Sequence, residues 1–460
     1  MLVDGEHYPP VVAAAISQLP SRFPGALPVA VAFLGGTEKM PAGGDPAAAA
    51  YSTGLGATLP VVTGATPDEA LLAGLERFSP DLVVDLSDEP VLDARVRLRL
   101  VSRALAAGVP YRVADASFEP PPRPRLATKP SVAVIGTGKR TGKTAVSAHA
   151  ARALAARGTP PVIVAMGRGG PAEPEIVDPR TFDLSAEGLV ALADSGRHAA
   201  SDHLEGALLA GVVTVGTRRC GGGMAGMPVD TTFPAGVALA GARPETLLLF
   251  EGSGQAIPPV HADATVCVVP ATADPELVTG YLGTYRLLLS DLVVVTMAEA
   301  SLADPGAVAA LERGVRGVAP GAGVVRTIFR PTPLEPISGR QVLYATTAAA
   351  SVSSVLAEHL EREHGCRVVG VSPHLADRAR LAADLEVAAD VDVLVVELKA
   401  AGVDVAARVA LERGIDVVFC DNRVVTVGGD GDFEEMVAAV ADEAVRRFTP
   451  LRPTGCQPTG

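Results

Sequence analysis

The clearest chemical signal in the chain is a glycine loop that ends in Gly-Lys-Thr. Residues Ser131 to His149 read S-V-A-V-I-G-T-G-K-R-T-G-K-T-A-V-S-A-H. A β-rich apolar run leads into the loop and a helical run leaves it, which is the context a phosphate-binding P-loop needs. Backbone N–H groups of such a loop, and of the helix N-terminus after it, point at phosphate oxygens. Gly138, Arg140, Thr141, Gly142, Lys143, Thr144 and Ala145 would form the nucleotide cradle. Lys143 would reach the β- and γ-phosphates, and the Thr144 hydroxyl would bind Mg²⁺. The expected cofactors are ATP and Mg²⁺. The spacing departs from G-x-x-x-x-G-K-[ST]: Gly136 stands one residue early, and Thr137 occupies the first glycine position. A plain glycine turn opening a helix is the alternative, and strand, loop and Gly-Lys-Thr together argue against it.

Further runs place charge at the ends of apolar segments. Thr246–Gly254 reads T-L-L-L-F-E-G-S-G, a strand closing on Glu251 and a turn of small residues. Met166–Asp178 reads M-G-R-G-G-P-A-E-P-E-I-V-D; Arg168 could grip a phosphate, and Glu173, Glu175 and Asp178 could serve Mg²⁺ or a water. A solvated loop with surface acids explains those carboxylates equally well. Gly216–Gly226 sets Arg218 and Arg219 beside Gly221, Gly222 and Gly223, an anion cradle of bidentate donors with close backbone approach. Asp202 is either a helix cap or a site acid, while His203 and His261 read as ordinary histidines. Asp291–Glu299 reads as a core strand and Arg326–Pro336 as a surface loop, with base recognition as the alternative for both. Near the N-terminus, Asp4, Glu6 and His7, then Gly35-Gly36-Thr37 with Lys39, then Asp85–Pro90, each follow a strand and could share one crevice.

The elements that must hold these residues alternate. Apolar strands at Pro28–Leu34, Pro80–Leu86, Ser131–Ile135, Pro161–Met166, Thr246–Phe250, Ala264–Val269 and Leu292–Thr296 are interleaved with helices such as Val91–Ala107 and Ala145–Arg157. Further strands lie near Arg367–Val371, Val391–Leu398 and Ile415–Cys420. This pattern predicts a doubly wound, mostly parallel α/β sheet of P-loop NTPase type, preceded by a smaller Rossmann-like α/β domain. The proline-rich run Glu119–Lys129 is the best linker. The expected division is 1–125, an N-terminal α/β domain; 126–350, the catalytic domain; and 351–460, a segment that continues or packs on it.

Composition bounds the rest. The chain has 460 residues, 48% hydrophobic and 20% charged, a globular balance. Its net charge of −13 disfavours general nucleic-acid binding, and the 4% of aromatics without any Trp leave few stacking platforms. Five cysteines without a C-x-x-C pair argue against a disulfide framework or a zinc site. The N-terminus carries acids where a secretion signal needs Lys or Arg, and the uncharged stretch Pro46–Pro67 is broken by Gly and Pro. A cytoplasmic protein without membrane or nucleic-acid partners is expected.

The G-T-x-x-x-x-G-K-T loop resembles the dethiobiotin-synthetase branch of P-loop enzymes. In that branch an acid at the position of Glu251 holds Mg²⁺, so the resemblance implies Glu251 as a metal ligand; with Thr144 of the loop and Glu175 of the acidic run it makes the expected metal set. Beyond the loop, G-R-G-G-P-x-E-P-E at Gly167–Glu175, R-R-C-G-G-G at Arg218–Gly223, Glu251-Gly-Ser-Gly, Leu34–Lys39 and Val396–Ala401 make the whole chain similar to the cyclic 2,3-diphosphoglycerate synthetase family. That resemblance implies ATP-dependent closure of 2,3-diphosphoglycerate to its cyclic anhydride, with release of ADP and phosphate. Lys139, Lys143, Arg168, Arg218 and Arg219 would then be the catalytic cations, because the two substrates bring many negative charges together. A homodimer is implied by the branch. A 2-phosphoglycerate kinase, another ATP-dependent ligase and a switch ATPase are the alternatives. Glu397 and Lys399 read either as core-edge residues or as part of the site.

Overall fold

The computed structural model describes residues 1–40, 51 and 58–450. Half of the uncharged stretch 46–67, and Cys456, lie outside the described residues. The chain divides into two units: Met1–Pro121 with Asp274–Leu289, and Pro122–Ala273 with Ser290–Gly460.

Among its described residues the first unit carries six short strands: β1 (Leu2–Val3), β2 (Val31–Phe33), β3 (Val61–Val62), β4 (Val83–Val84), β5 (Tyr111–Arg112) and β6 (Ser117–Phe118). They pair as β3-β2-β1 and β4-β5-β6, and a parallel bridge from Leu2 to Asp85 links β1 to the end of β4. The resulting order is that of a Rossmann-like sheet, with β6 alone running antiparallel. The three N-terminal motifs do meet at the β1/β4 crossover, but they bond to one another. Asp4 is fully buried; its Oδ1 accepts from the backbone of Glu6 and from His7 Nδ1, and its Oδ2 accepts from the backbone of Asp88 at 2.6 Å. Asp85 accepts from Arg97 at 3.0 Å and from the Tyr111 hydroxyl at 2.8 Å. Lys39 pairs with Glu38.

The second unit is built on one sheet of 13 strands among the described residues. Its strands are β7 (Ser131–Gly136), β8 (Pro161–Gly167), β9 (Glu175–Val177), β10 (Thr214–Cys220), β11 (Asp230–Thr231), β12 (Leu247–Glu251), β13 (Ala264–Pro270), β14 (Leu292–Thr296), β15 (Gly323–Pro333), β16 (Gln341–Ala345), β17 (Arg367–Ser372), β18 (Val393–Val396) and β19 (Asp416–Gly429). The order is β11-β10-β8-β12-β7-β13-β14-β15-β19-β18-β16-β17, with β9 also on β10. Every residue of β7 and β8 is buried, as strands covered on both faces should be.

Two parallel runs of strands are joined by β15 and β19. β19 pairs with β18 in parallel through Asp416–Phe419, then continues antiparallel along β15. The last hundred residues therefore extend the sheet that holds the phosphate loop. The stretch Arg326–Pro336, expected as a surface loop, is mostly β15; its Ile328 and Phe329 pair across to Val425 and Val424. The helix Lys143–Ala156 packs with the helix Phe433–Arg447 against β7 and β13, where Val134, Val146, Leu154, Val266 and Phe433 share one core. Alanine fills this helix, which keeps its propensity high and lets it lie close to the sheet.

Candidate active site

The sheet places the carboxyl ends of β8, β12 and β7 side by side, with β14 beyond β13, and the charged motifs follow those ends. Between β7 and its helix, Arg140 and Gly142 both take positive φ, 60° and 83°. The loop thereby turns its backbone inward and starts the helix on Lys143. The Thr296 hydroxyl of β14 donates to the Thr141 carbonyl at 2.8 Å and fixes the loop from below. Together these residues line a cavity of about 620 Å³.

Lys143 is buried in this cavity. Burial lowers the pKa of its ammonium, and nearby Glu251 and Asp202 work against that shift. Glu251 closes β12 and is 2% exposed, with Oε2 lacking any hydrogen-bond partner. Burial, reinforced by Asp202, raises its pKa to about 7, while Lys143 and the Thr144 hydroxyl pull it down. An unpartnered carboxylate oxygen next to a threonine hydroxyl at a P-loop suits a Mg²⁺ ion that keeps several waters. Asp202 begins the helix Asp202–Ala210, whose N-cap is Ser201, so Asp202 is a lining acid and not the cap.

A second cavity of about 580 Å³ adjoins the first, sharing Lys139 and Arg168 and adding Arg219 and Gly221–Gly223. Arg219 donates to the carbonyls of Gly221 and Ser253, at 2.5 and 2.8 Å. A Cβ at Gly254 would stand 2.6 Å from Arg168 Nη2 and 3.5 Å from Arg219 Nη2. Two guanidinium groups occupy the space a side chain would need, which accounts for the Gly-Ser-Gly turn after Glu251. The cradle is thus lined by Lys139, Arg168 and Arg219, beside the phosphate loop.

Two expected residues are placed elsewhere. Arg218 lines neither cavity; it precedes Arg219 on β10, where successive side chains leave opposite faces. Glu175 lies on β9, its carboxylate held by Arg197 and 3.6 Å from His203 Nε2. His203 and Arg197 bring its pKa down to about 2, and it does not stand with Glu251. Asp178 is engaged by Arg180.

Other lining residues were only half legible. Glu205, one turn after Asp202, faces the same cavity, and burial raises its pKa to about 8. Glu397 and Lys399 follow β18 and line the same wall. Glu397 accepts from Thr346 Oγ1, Thr347 N, Thr347 Oγ1 and Asn422 Nδ2 at 2.7, 3.1, 2.7 and 2.8 Å. Lys399 Nζ lies 3.3 Å from Glu397 and 3.9 Å from Glu205. Phe329 of β15, with Leu302, Val352 and Leu356, gives the cavity an apolar end. The signal for Lys399 was the one that exposed Glu251: an apolar run that stops on charge.

Sequence models of three domains match this chain. The N-terminal domain of cyclic 2,3-diphosphoglycerate synthetase covers residues 1–119, its P-loop domain 131–328 and its C-terminal domain 333–423. The chain belongs to the cyclic 2,3-diphosphoglycerate synthetase family. Curated members of that name are similar over almost their whole length. The protein of Rubrobacter xylanophilus is 48% identical over 430 residues, 94% of this chain and 95% of its own. That of Methanothermus fervidus is 43% identical over 453 residues, 97% of each, and that of Thermococcus gammatolerans 45% over 429, covering 93% and 94%. For a member of this synthetase family, the phosphate loop is the ATP site. Among the described residues no helix is long and apolar enough to cross a membrane.

Proposed function

We propose that this protein uses ATP to close 2,3-diphosphoglycerate into its cyclic phosphoanhydride, releasing ADP and orthophosphate. The observation that carries this reading is the pairing of two sites: a phosphate loop around Lys143, and, sharing its wall, a cradle of Lys139, Arg168 and Arg219. A substrate with two phosphates and a carboxylate needs such a surplus of cations outside the nucleotide loop.

Lys143 and the N–H groups opening its helix hold the β- and γ-phosphates. Arg168, Arg219 and Lys139 hold one substrate phosphate in line with the γ-phosphorus. An oxygen of that phosphate attacks the γ-phosphorus, and the bond to ADP breaks. An oxygen of the second substrate phosphate then attacks the phosphorus of the first; the ring anhydride forms and orthophosphate leaves. Holding both phosphates on one rigid wall makes the second step unimolecular, and the cations offset charge in both. Mg²⁺, held by Thr144 and Glu251, would supply charge neutralisation on the nucleotide phosphates. The same reading makes the protein a cytoplasmic homodimer that binds neither nucleic acid nor membrane. Cys220, Cys366 and Cys420 form no disulfide, in keeping with a reducing compartment.

Phosphorus NMR of the protein with ATP, Mg²⁺ and 2,3-diphosphoglycerate tests this. A pair of anhydride-shifted resonances with equimolar ADP and phosphate is the expected result. Consumption of ATP with a phosphorylated but open product would assign a kinase, and intact ATP would overturn the substrate reading.

A further inference from the structure

The cations of the large cavity fall into two groups, and acids stand between them. Apart from burial, Lys143 is influenced by Glu251, Asp202, Arg168 and Arg219. Lys399 is influenced by a different set: Glu397, Glu205 and Asp421. Glu205 in turn senses Lys399, Asp202, Glu251 and Glu397. The lining therefore runs from phosphate-loop and cradle cations, through the acids Glu251, Asp202 and Glu205, to a separate cation, Lys399, beside Glu205 and Glu397. The elements that carry Lys399 and its neighbours, β18 and β19, come from the last third of the chain.

The carboxylate nearest to Lys399 lies 3.3 Å from its ammonium but does not depend on it for hydrogen bonds. Glu397 already accepts four hydrogen bonds, from Thr346, from Thr347 twice and from Asn422. Those four donors satisfy both of its oxygens without the ammonium. The second neighbour, Glu205, lies 3.9 Å from Nζ, beyond hydrogen-bond reach. The backbone at Lys399 is fixed nonetheless. Its N–H donates to the Glu397 carbonyl, Ala400 takes φ 51°, and Gly402 packs against the same carbonyl. The ammonium is left 31% exposed, and the residue lines the cavity. A pinned backbone, a flexible four-carbon stem and a replaceable partner describe a cation poised to take a different anion.

We propose that Lys399 binds an anionic end of the phosphorylated acid, the end remote from the cradle of Arg168 and Arg219, exchanging its contact with Glu205 for that ligand. The inference rests on the substrate reading above. It adds a second anchor, supplied by the C-terminal part of the chain, that holds the substrate by both ends. Two anchors fix the distance between the reacting phosphates. A nucleotide held on the phosphate loop does not need this contact, so ATP binding should be indifferent to it.

The test is steady-state kinetics of Lys399→Met and Lys399→Arg, with 2,3-diphosphoglycerate and ATP each varied. Loss of one charge-assisted contact should raise the KM for 2,3-diphosphoglycerate by about tenfold or more. The KM for ATP should stay within about twofold, and the Arg variant should recover most of the loss. Wild-type protein that forms cyclic product, alongside Lys399→Met with an unchanged KM for the acid, would overturn this proposal and leave the function standing. A changed KM for ATP alone would also overturn it. Wild-type protein that forms no cyclic product removes both. Should Lys399→Met fail to fold, Glu205→Gln decides at pH 9, where Glu205 is ionised: freeing Lys399 from one competing anion should there lower the KM for the acid by about threefold, and an unchanged or higher KM would count against the proposal.

Discussion

The ring of Phe329 lies directly on the backbone of Gly142: a Cβ at residue 142 would stand 2.2 Å from Phe329 Cζ. Gly142 also takes φ 83°, where a side chain is strained in any surroundings. Strand β15 thus closes the phosphate loop from a distance of nearly two hundred residues. Gly142→Ala should destabilise the protein by about 1–3 kcal/mol and weaken ATP binding. The double change Gly142→Ala with Phe329→Ala should cost clearly less than the sum of the two single changes, because the second removes the clash met by the first. Thermal melts and nucleotide titration of the four proteins check this. Additive costs would show that the ring does not constrain the loop.

Removal of the Lys143 ammonium should abolish turnover while the fold survives. Lys143→Met keeps the stem that packs within the cavity and deletes the charge proposed to meet the β- and γ-phosphates. Turnover should fall by about a thousandfold or more. The readout is substrate-dependent ADP release, with circular dichroism as the control for folding. Retention of more than about a tenth of the wild-type rate would move the nucleotide site away from this loop.

Glu251 presents the unpartnered carboxylate oxygen beside Thr144. Glu251→Gln keeps the shape and removes the charge. The Mg²⁺ concentration needed for half-maximal rate should rise by about ten- to a hundredfold, and excess Mg²⁺ should restore part of the rate. A Mg²⁺ response identical to wild type would assign the metal to other groups. Glu175→Gln should leave the Mg²⁺ response unchanged, because that carboxylate is already committed to Arg197 and His203.

What the sequence disclosed and what it hid follow from the physics of each residue. The strand before the phosphate loop and Gly-Lys-Thr were visible because local geometry alone demands them. Glu251 was visible for the same reason: a buried apolar run rarely stops on an acid without use. Asp202 was ambiguous because helix caps and site acids share residue types, and only the placement of Ser201 at the cap separates them. Arg218 and Arg219 looked equivalent because adjacency says nothing of faces until the strand is known. The role of β19 was hidden because one strand changes partners midway, from β18 to β15, a long-range pairing that no local pattern records. Phe329 was hidden with it, read as part of a proline-rich loop.

Glu205 carries a cost that depends on pH. Burial holds its pKa near 8, against an ordinary value of 4.5. Between those values the folded protein keeps a proton that the unfolded chain has released, so stability falls as pH rises through that window. The cost is complete above about pH 8 and absent below the ordinary value. Glu205→Gln removes it. The variant should match wild type near pH 5 and gain on the order of a few kcal/mol over it by pH 9. Denaturant melts at pH 5, 6, 7, 8 and 9 check the trend; a difference that is flat with pH would mean that Glu205 is solvated.

Arg219 and Arg218 separate the cradle from the strand that supports it. Arg219 donates to Gly221 and Ser253, shares the space above Gly254 with Arg168, and lines the second cavity. Arg218 precedes it on β10; its backbone N–H bonds the Thr232 hydroxyl and its carbonyl accepts from Thr231. Arg219→Ala should therefore raise the KM for the phosphorylated acid by about ten- to a hundredfold, with the KM for ATP little changed. Arg219→Lys should rescue only part of that loss, since a point charge replaces a two-pronged donor. Arg218→Ala should change the KM for the acid by less than about threefold, because the backbone bonds that place it survive the truncation. Kinetics of the three variants at fixed Mg²⁺ decide the matter. An equal loss at both positions would mean that β10 turns over at its end to bring both guanidinium groups onto the substrate.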